Sequence, residues 1–305
     1  MSAAAPADAG AARRARWLIA LAAVLWSLSA LFTRFLAAET PLGLHEPRLT
    51  TLHIAFFRAL FAGLVMLPLL RRSDVSFRPL MAVMVASFAA MNVLFVTALA
   101  LAPSGTAILL QYTAPFWLTL AGVWLLGEPL DRRNFVAILI GSAGVGVIIA
   151  GHGFGDEAAV TAMALGSGVT YAAVLLCLRL LRDAAPAWLT LLNHLGSALV
   201  LLPWVVRLPS PTLAQLAFLA LFGAVQMGLP YLLMARGLRH VSPQQAGTLT
   251  LLEPVLNPLW PLIFLGQGMS GWTLAGGAFI LGALLWRYAP LPRARGEKAG
   301  AVAGE

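Results

Sequence analysis

The sequence predicts an all-α membrane protein of ten transmembrane helices in two inverted five-helix repeats, with both termini cytoplasmic. Three observations lead there: an apolar composition, an alternating placement of arginines, and an internal duplication. Of the 305 residues, 60% are hydrophobic and 10% charged, and the mean hydropathy is +0.86. That lies beyond the usual apolar share of a soluble domain. A hydrocarbon core of about 30 Å takes roughly 20 residues of helix, so ten crossings use about 200 residues and leave only short connections.

The apolar runs fall in order along the chain. The first five are Trp17 to Ala37, Leu52 to Leu70, Leu80 to Leu101, Ser104 to Leu126 and Asn134 to Ala150. The next five are Val160 to Leu181, Ala187 to Val206, Leu213 to Ala235, Val241 to Leu265 and Trp272 to Arg287. The gaps between them are rich in Pro, Gly and Arg. The run from Trp17 is too long for a signal-peptide core and has no clear cleavage pattern, so it reads as a retained helix. This divides the chain into a cytoplasmic tail (1–16), a first repeat (17–150), a second, inverted repeat (151–288) and a second cytoplasmic tail (289–305).

Orientation follows from the arginines, because loops that stay cytoplasmic retain positive charge. Arg13, Arg14 and Arg16, then Arg71, Arg72 and Arg78, then Arg132 and Arg133 share one side with Arg179, Arg182, Arg236, Arg239, Arg287, Arg293, Arg295 and Lys298. The opposite side holds chiefly Arg48 and Arg207, with the acidic Asp156 and Glu157. One missed or extra helix would scramble this alternation. The net charge of +8 is therefore a membrane-topology signal; the basic residues are not interleaved with aromatics on a polar face as a nucleic-acid groove requires. The single cysteine, Cys177, excludes an intrachain disulfide and a cysteine-based metal site. No metal or cofactor is expected.

Shifting the chain by 139 residues superimposes Leu94, Leu99, Ala107, Leu110, Pro115, Leu120 and Leu126-Gly127 on Leu233, Leu238, Ala246, Leu249, Pro254, Leu259 and Leu265-Gly266. A shift of 135 places Leu60, Leu64, Val65, Leu67 and Pro68 on Leu195, Leu199, Val200, Leu202 and Pro203. Trp26 and Arg34 correspond to Tyr171 and Arg179. Leucine matches come cheaply in apolar helices, whereas paired prolines and a Leu-Gly helix end do not. A duplicated unit of five crossings must insert with opposite topology.

Trp26 begins a Trp-x7-basic pattern ending at Arg34, Arg58 falls early in the second helix, and Pro115 leads to a Leu-Gly-Glu-Pro end at Glu128 and Pro129. With the repeat, these positions resemble the EamA-type branch of the drug/metabolite transporter superfamily, over Trp17 to Tyr288. Two departures are Ser27, where the pattern has Gly, and Gln267, where the second half would match Glu128 with an acid. The resemblance implies ten helices in two inverted halves, residence in a cell membrane, the bacterial inner membrane in the nearest cases, and secondary transport by alternating access. Within the superfamily, bacterial exporters of amino acids, including aromatic ones, are the nearest in overall character.

An ionisable group in hydrocarbon costs several kcal/mol unless it is paired or faces water, so such groups are the first site candidates. Glu253 lies midway along the ninth helix and can accept from a substrate ammonium or exchange a proton; alternatively it is a buried acid with a local partner. Arg58 can hold a carboxylate bidentately or serve as a structural partner of another helix. His194, beside the Arg58-equivalent Asn193, can titrate near neutrality or simply bond within the bundle. Pro115 and Pro254 each lack a backbone donor and free the carbonyls of Gln111 and Thr250, which predicts paired hinges or plain kinks at equivalent depths. Trp26, Asn92, Gln111, Tyr112, Trp117, Tyr171 and Tyr231 complete a candidate polar, aromatic-lined cavity, with lipid-facing packing as the alternative.

Other residues call for no solute. Trp17, Trp188, Trp204, Trp272 and Trp286 lie near span ends, where an interfacial belt accounts for them. Ser142 with Gly146, and Ala278 with Gly282, have small-xxx-small spacing for close contact within the protein or in a weak homodimer. Gly144-Val145-Gly146 lies inside a span and is no nucleotide fingerprint.

The leading expectation is an exporter of small amphipathic solutes, most plausibly amino acids with aromatic or large apolar side chains. Another metabolite or drug class of the same superfamily is the alternative. An intramembrane enzyme using Ser104 and His194 finds poor support, since Ser104 sits where a helix cap is the simpler role. A non-transporting receptor is disfavoured by the short loops. No phosphate-cradling loop occurs, so proton exchange and uncoupled diffusion both stay open.

Overall fold

The computed structural model describes residues 9–103, 105–152 and 156–288. Ser104, Arg293, Arg295 and Lys298, named above, lie outside the described residues, as do much of the first tail and the whole of the second. Among the described residues the secondary structure is entirely helical. Nine helical stretches are long and apolar enough to cross a membrane: Gly10–Ala37, Thr51–Leu69, Pro79–Leu101, Thr106–Leu126, Arg132–Gly151, Glu157–Leu180, Pro186–Val205, Leu213–Gly237 and Gln245–Leu265. A further helix, α15 (Gly271–Tyr288), spans 18 residues and is less apolar than these nine, because Trp272, Arg287 and Tyr288 dilute its ends.

Local chemistry explains where the helices begin and end. Helix α3 (Thr51–Met66) starts at Thr50, whose hydroxyl and the His53 ring form a reciprocal capping box, satisfying donors that have no intrahelical partner. Thr212 and Gln215 do the same for α10 (Leu213–Leu221). Proline opens α4 (Pro79–Leu101), α9 (Pro186–Val205) and α12 (Pro243–Thr250), where its missing N–H costs nothing. Helices α6 (Ala114–Leu126) and α14 (Leu259–Leu265) end at Gly127 and Gly266, with φ of 66° and 67°. These are the two Leu-Gly ends aligned by the repeat, and both take the left-handed turn that glycine tolerates.

Several spans are interrupted. The first is α1 (Ala9–Ser27) followed by α2 (Ser29–Ala37). The fourth is α5 (Thr106–Gln111) followed by α6, and the ninth is α12 followed by α13 (Leu252–Leu256) and α14. Helix α5 ends at Gln111 and α12 at Thr250, 139 residues apart, so the two proline-associated breaks are repeat equivalents. The eighth span passes from α10 through a π-helical segment, Phe222–Gly228, into α11 (Leu229–Gly237).

Packing is reciprocal between the halves. Helix α1 lies against α11, α12 and α13; its counterpart α8 (Asp156–Leu180) lies against α4, α5 and α6. Helices α3 and α9 pack on each other, as do α7 (Arg132–His152) and α15. The α7–α15 crossing runs through Gly144 and Gly276: a Cβ on Gly144 would lie 2.6 Å from the Gly276 carbonyl oxygen. This corrects the small-residue expectation for contact within the protein. Gly146 and Gly282 have nothing within 4 Å, and with Ser142 and Ala278 they lie on exposed faces, because two residues on a helix turn the side chain by about 200°. Trp188 is also corrected. It is buried, its indole donates to the Ser76 carbonyl at 2.6 Å and its ring meets Phe77 edge-on, so it anchors the α3–α4 connection and is no belt residue.

The apolar core runs between the halves, with Met84, Ile108, Leu110, Ile148 and Ile280 fully buried. Large apolar side chains also cover the outside, Trp124 at 76% exposure and Leu199 at 69% among them. An apolar exterior over satisfied helical backbone is what a bilayer solvates.

Candidate functional site

Polar side chains gather where the interrupted spans meet. Tyr112 occupies the turn between α5 and α6, where Pro115 withholds a donor from Gln111. Its hydroxyl lies 2.7 Å from Glu253 Oε2 and 3.0 Å from the Thr250 carbonyl oxygen. Thr250 is the carbonyl that Pro254 leaves without a helical donor, so a first-half tyrosine reaches the break in the second half. Tyr171 and Tyr231 lie within electrostatic reach of Glu253, and Tyr288 within reach of Tyr112 and Tyr171. Three of the four tyrosines of the chain thus adjoin one carboxyl, and the fourth, Tyr288, adjoins two of those rings. Glu253 and these rings are half-buried.

Two further groups adjoin this centre. Trp26 meets Tyr231 edge-on at 5.1 Å between ring centroids, and Tyr231 meets His194 at 5.2 Å. His194 is fully buried; its Nδ1 donates to the Thr190 carbonyl at 2.7 Å on its own helix, which leaves Nε2 as an acceptor without a partner among the described residues. Arg58 is 2% exposed and donates to Asn92 Oδ1, while Asn92 in turn donates to the Ala55 carbonyl at 2.8 Å. The guanidinium sits over the rings of Phe222, 5.5 Å away, and Phe95, 6.0 Å away. Among the described residues its Nε has no partner and no acid forms an ion pair with it. Glu253 and Tyr231 nevertheless lie within electrostatic reach.

Two candidates stand apart. Gln111 is buried with its amide against Met91 Sδ at 3.3 Å, and the Trp117 indole donates to Thr113 Oγ1 at 3.0 Å on the preceding turn. Conversely, the structure shows a polar group not anticipated above. At the α1–α2 break, Gln226 donates to the Trp26 carbonyl at 2.8 Å. Asn257 donates to the Ser27 carbonyl at 3.0 Å and to Ser29 Oγ at 2.8 Å, and the Trp260 indole donates to Ser27 Oγ at 2.7 Å. Gln226 and Asn257 are buried amides in apolar runs; a search for uncharged as well as ionisable intramembrane residues finds them.

Clefts lie at the two ends of α8. One, of about 430 Å³, is bordered by Glu128, Asp131, Arg179 and Arg287. There the Arg179 guanidinium forks onto both oxygens of Glu128, Nη1 to Oε2 at 3.0 Å. The other, of about 680 Å³, is bordered by Arg34, Ala102, Glu157 and Gln267. Arg34 and Gln267 are the repeat equivalents of Arg179 and Glu128, but Arg34 donates to the Ala102 carbonyl and Gln267 Oε1 has no partner among the described residues. One end is joined by an ion pair between the halves, and its counterpart is not.

A bundle of long apolar helices, apolar outside and polar where its halves meet, is the architecture of an integral membrane transporter. The chain belongs to the EamA-like transporter family, whose model matches residues 13–150 and again 159–288. An uncharacterized transporter of Archaeoglobus fulgidus is 27% identical over 277 residues, covering 88% of this chain and 95% of that one. Protein PecM of Dickeya dadantii is 29% identical over 195 residues, covering 60% of this chain and 64% of PecM. A solved crystal structure, 21% identical, superposes with a TM-score of 0.61 over 89% of this chain and 96% of its own, a likeness of fold.

Proposed function

We propose that this chain is a secondary transporter that exports small amphipathic solutes, amino acids with aromatic or large apolar side chains foremost, by alternating access around the Glu253 centre. The observation that carries the reading is the meeting of opposite charges from different halves. Arg58 has no resident counter-ion and can take a carboxylate; Glu253 can take an ammonium; Trp26, Tyr112, Tyr171 and Tyr231 offer apolar walls, with Asn92, Gln111, His194 and Trp117 as outer members of the site. Opposite charges within electrostatic reach of one another suit a zwitterion. The tyrosines around Glu253 favour a second reading, an organic amine without a carboxylate.

The topology we assign has ten crossings, with α15 as the tenth, two inverted halves at 17–150 and 151–288, and both termini cytoplasmic in a bacterial inner membrane. The reciprocal packing of α1 and α8 supports inversion, and the breaks at Pro115 and Pro254 are suited to act as paired hinges. Transport and not catalysis is the activity assigned, by a monomer or weak homodimer. In proteoliposomes loaded with labelled amino acids and simple amines, efflux of at least one aromatic or large apolar amino acid should exceed that from protein-free vesicles. Arg58→Gln should reduce amino-acid efflux more than amine efflux. Absence of flux across the whole panel would overturn the assignment.

A further inference from the structure

Tyr112 has two acceptors and one hydrogen. A phenol carries a single O–H, yet the Tyr112 hydroxyl sits 2.7 Å from Glu253 Oε2 and 3.0 Å from the Thr250 carbonyl oxygen. With Glu253 ionised, the carboxylate takes the phenolic hydrogen and the Thr250 carbonyl loses its donor, since residue 254 is a proline with no N–H. With Glu253 protonated, the acid O–H donates to Tyr112 Oη, and the phenol donates onward to Thr250. Both contacts are then satisfied at once.

We propose that Glu253, Tyr112 and the Thr250 carbonyl form a proton-operated cap on the α12–α13 break, by which this chain couples solute export to proton uptake. The proposal rests on the export reading of the same site. An uncapped carbonyl in a membrane interior is costly, so the protonated carboxyl favours the capped break and the ionised carboxyl favours a rearranged one. The step balances without a further reagent: one proton enters from one face and converts the carboxylate to the acid, and it leaves toward the other face when a solute ammonium replaces it as the partner of the carboxylate. Tyr112 itself belongs to the α5–α6 break, so the hydroxyl touches both interruptions. The device exists once per chain, because the repeat equivalents of Tyr112 and Glu253 are Leu251 and Ala114. The titratable and charged groups in reach of Glu253 are Arg58 on α3, Tyr112, Tyr171 on α8 and Tyr231 on α11, with Tyr288 on α15 in reach of Tyr112 and Tyr171.

The test uses the full chain in proteoliposomes, with labelled phenylalanine as probe, a trapped pH dye, and a thiol reagent acting on Val160→Cys in a Cys177→Ser background. Val160 borders the larger cleft and belongs to neither the cap nor the solute site. One-for-one exchange requires the phenylalanine distribution to shift about tenfold per pH unit of imposed gradient, with dye-reported proton movement. Thiol labelling, divided at each pH by that of the same protein unfolded in detergent so that the thiolate fraction cancels, should change several-fold between acid and alkaline pH. Glu253→Gln, whose amide can donate to Tyr112 as the acid does, should hold labelling at the acid value, and Tyr112→Phe should make it indifferent to pH although Glu253 is intact. Phenylalanine flux without proton movement or pH-responsive labelling overturns the coupling and leaves transport standing. Absence of flux for phenylalanine and the wider panel overturns the export reading, and with it the coupling to export; the proton-operated cap itself then stands or falls with the labelling response and its loss in both variants.

Discussion

Arg58 shows what a single side chain requires in this environment. Its guanidinium is fully buried, and Asn92 is the hydrogen-bonding side chain that meets it. A hydrogen bond to a charged group contributes about 1.5–3 kcal/mol, and removing one partner leaves the other desolvated. Asn92→Leu is therefore expected to lower thermal stability in detergent by about that amount. Arg58→Gln, which removes the charge together with its need for a partner, should cost less than the buried position implies, and a scanning-fluorescence melt of both variants checks the order. Arg58, Asn92 and Glu253 could be selected from sequence, because each interrupts an apolar run. Their partners could not: Arg58 and Asn92 are 34 residues apart on nearly uniformly apolar helices, where no polar stripe reveals which face turns inward.

At the scale of the helix, the breaks were legible where proline makes them and illegible where side chains do. Pro115 and Pro254 mark the interruptions after Gln111 and Thr250. The α1–α2 break has no proline: Gln226, Asn257 and Trp260 come from the other half and engage the carbonyls and hydroxyl around Ser27. The π-helical turn at Phe222–Gly228 was equally hidden, since it places Phe222 under Arg58 and Gln226 on Trp26, contacts that exist only in the folded bundle. Such turns occur often at functional sites. The α7–α15 crossing offers a clean contrast. Gly144→Leu should destabilise by about 1–3 kcal/mol through overpacking against Gly276, whereas Gly146→Leu, facing open space, should be close to neutral. Thermal unfolding of the two purified variants measures the difference.

Across the whole molecule, the duplication was legible in paired prolines and glycines, while the unequal treatment of the two ends was only half so. Gln267 in place of an acid is visible in the chain, but that Glu128 meets Arg179 across the halves is a fact of packing. Gln267→Glu gives Arg34 a carboxylate at the larger cleft. It should slow thiol labelling of Val160→Cys several-fold at low salt, with the effect fading as salt screens the pair; unchanged labelling at low salt would show that this end does not close by charge.

The division of charge at the centre also bears on what each half can do by itself. Arg58 belongs to one half and Glu253 to the other, with Asn193 and Ala114 at the matching positions. Two copies of the first half would bring two guanidinium groups and no carboxylate, and two copies of the second would bring the reverse. The two halves are thus unlike parts: on the proposed reading, a chain severed at the α7–α8 connection has a complete solute site only when both fragments are supplied together, and doubling either fragment cannot replace the one left out.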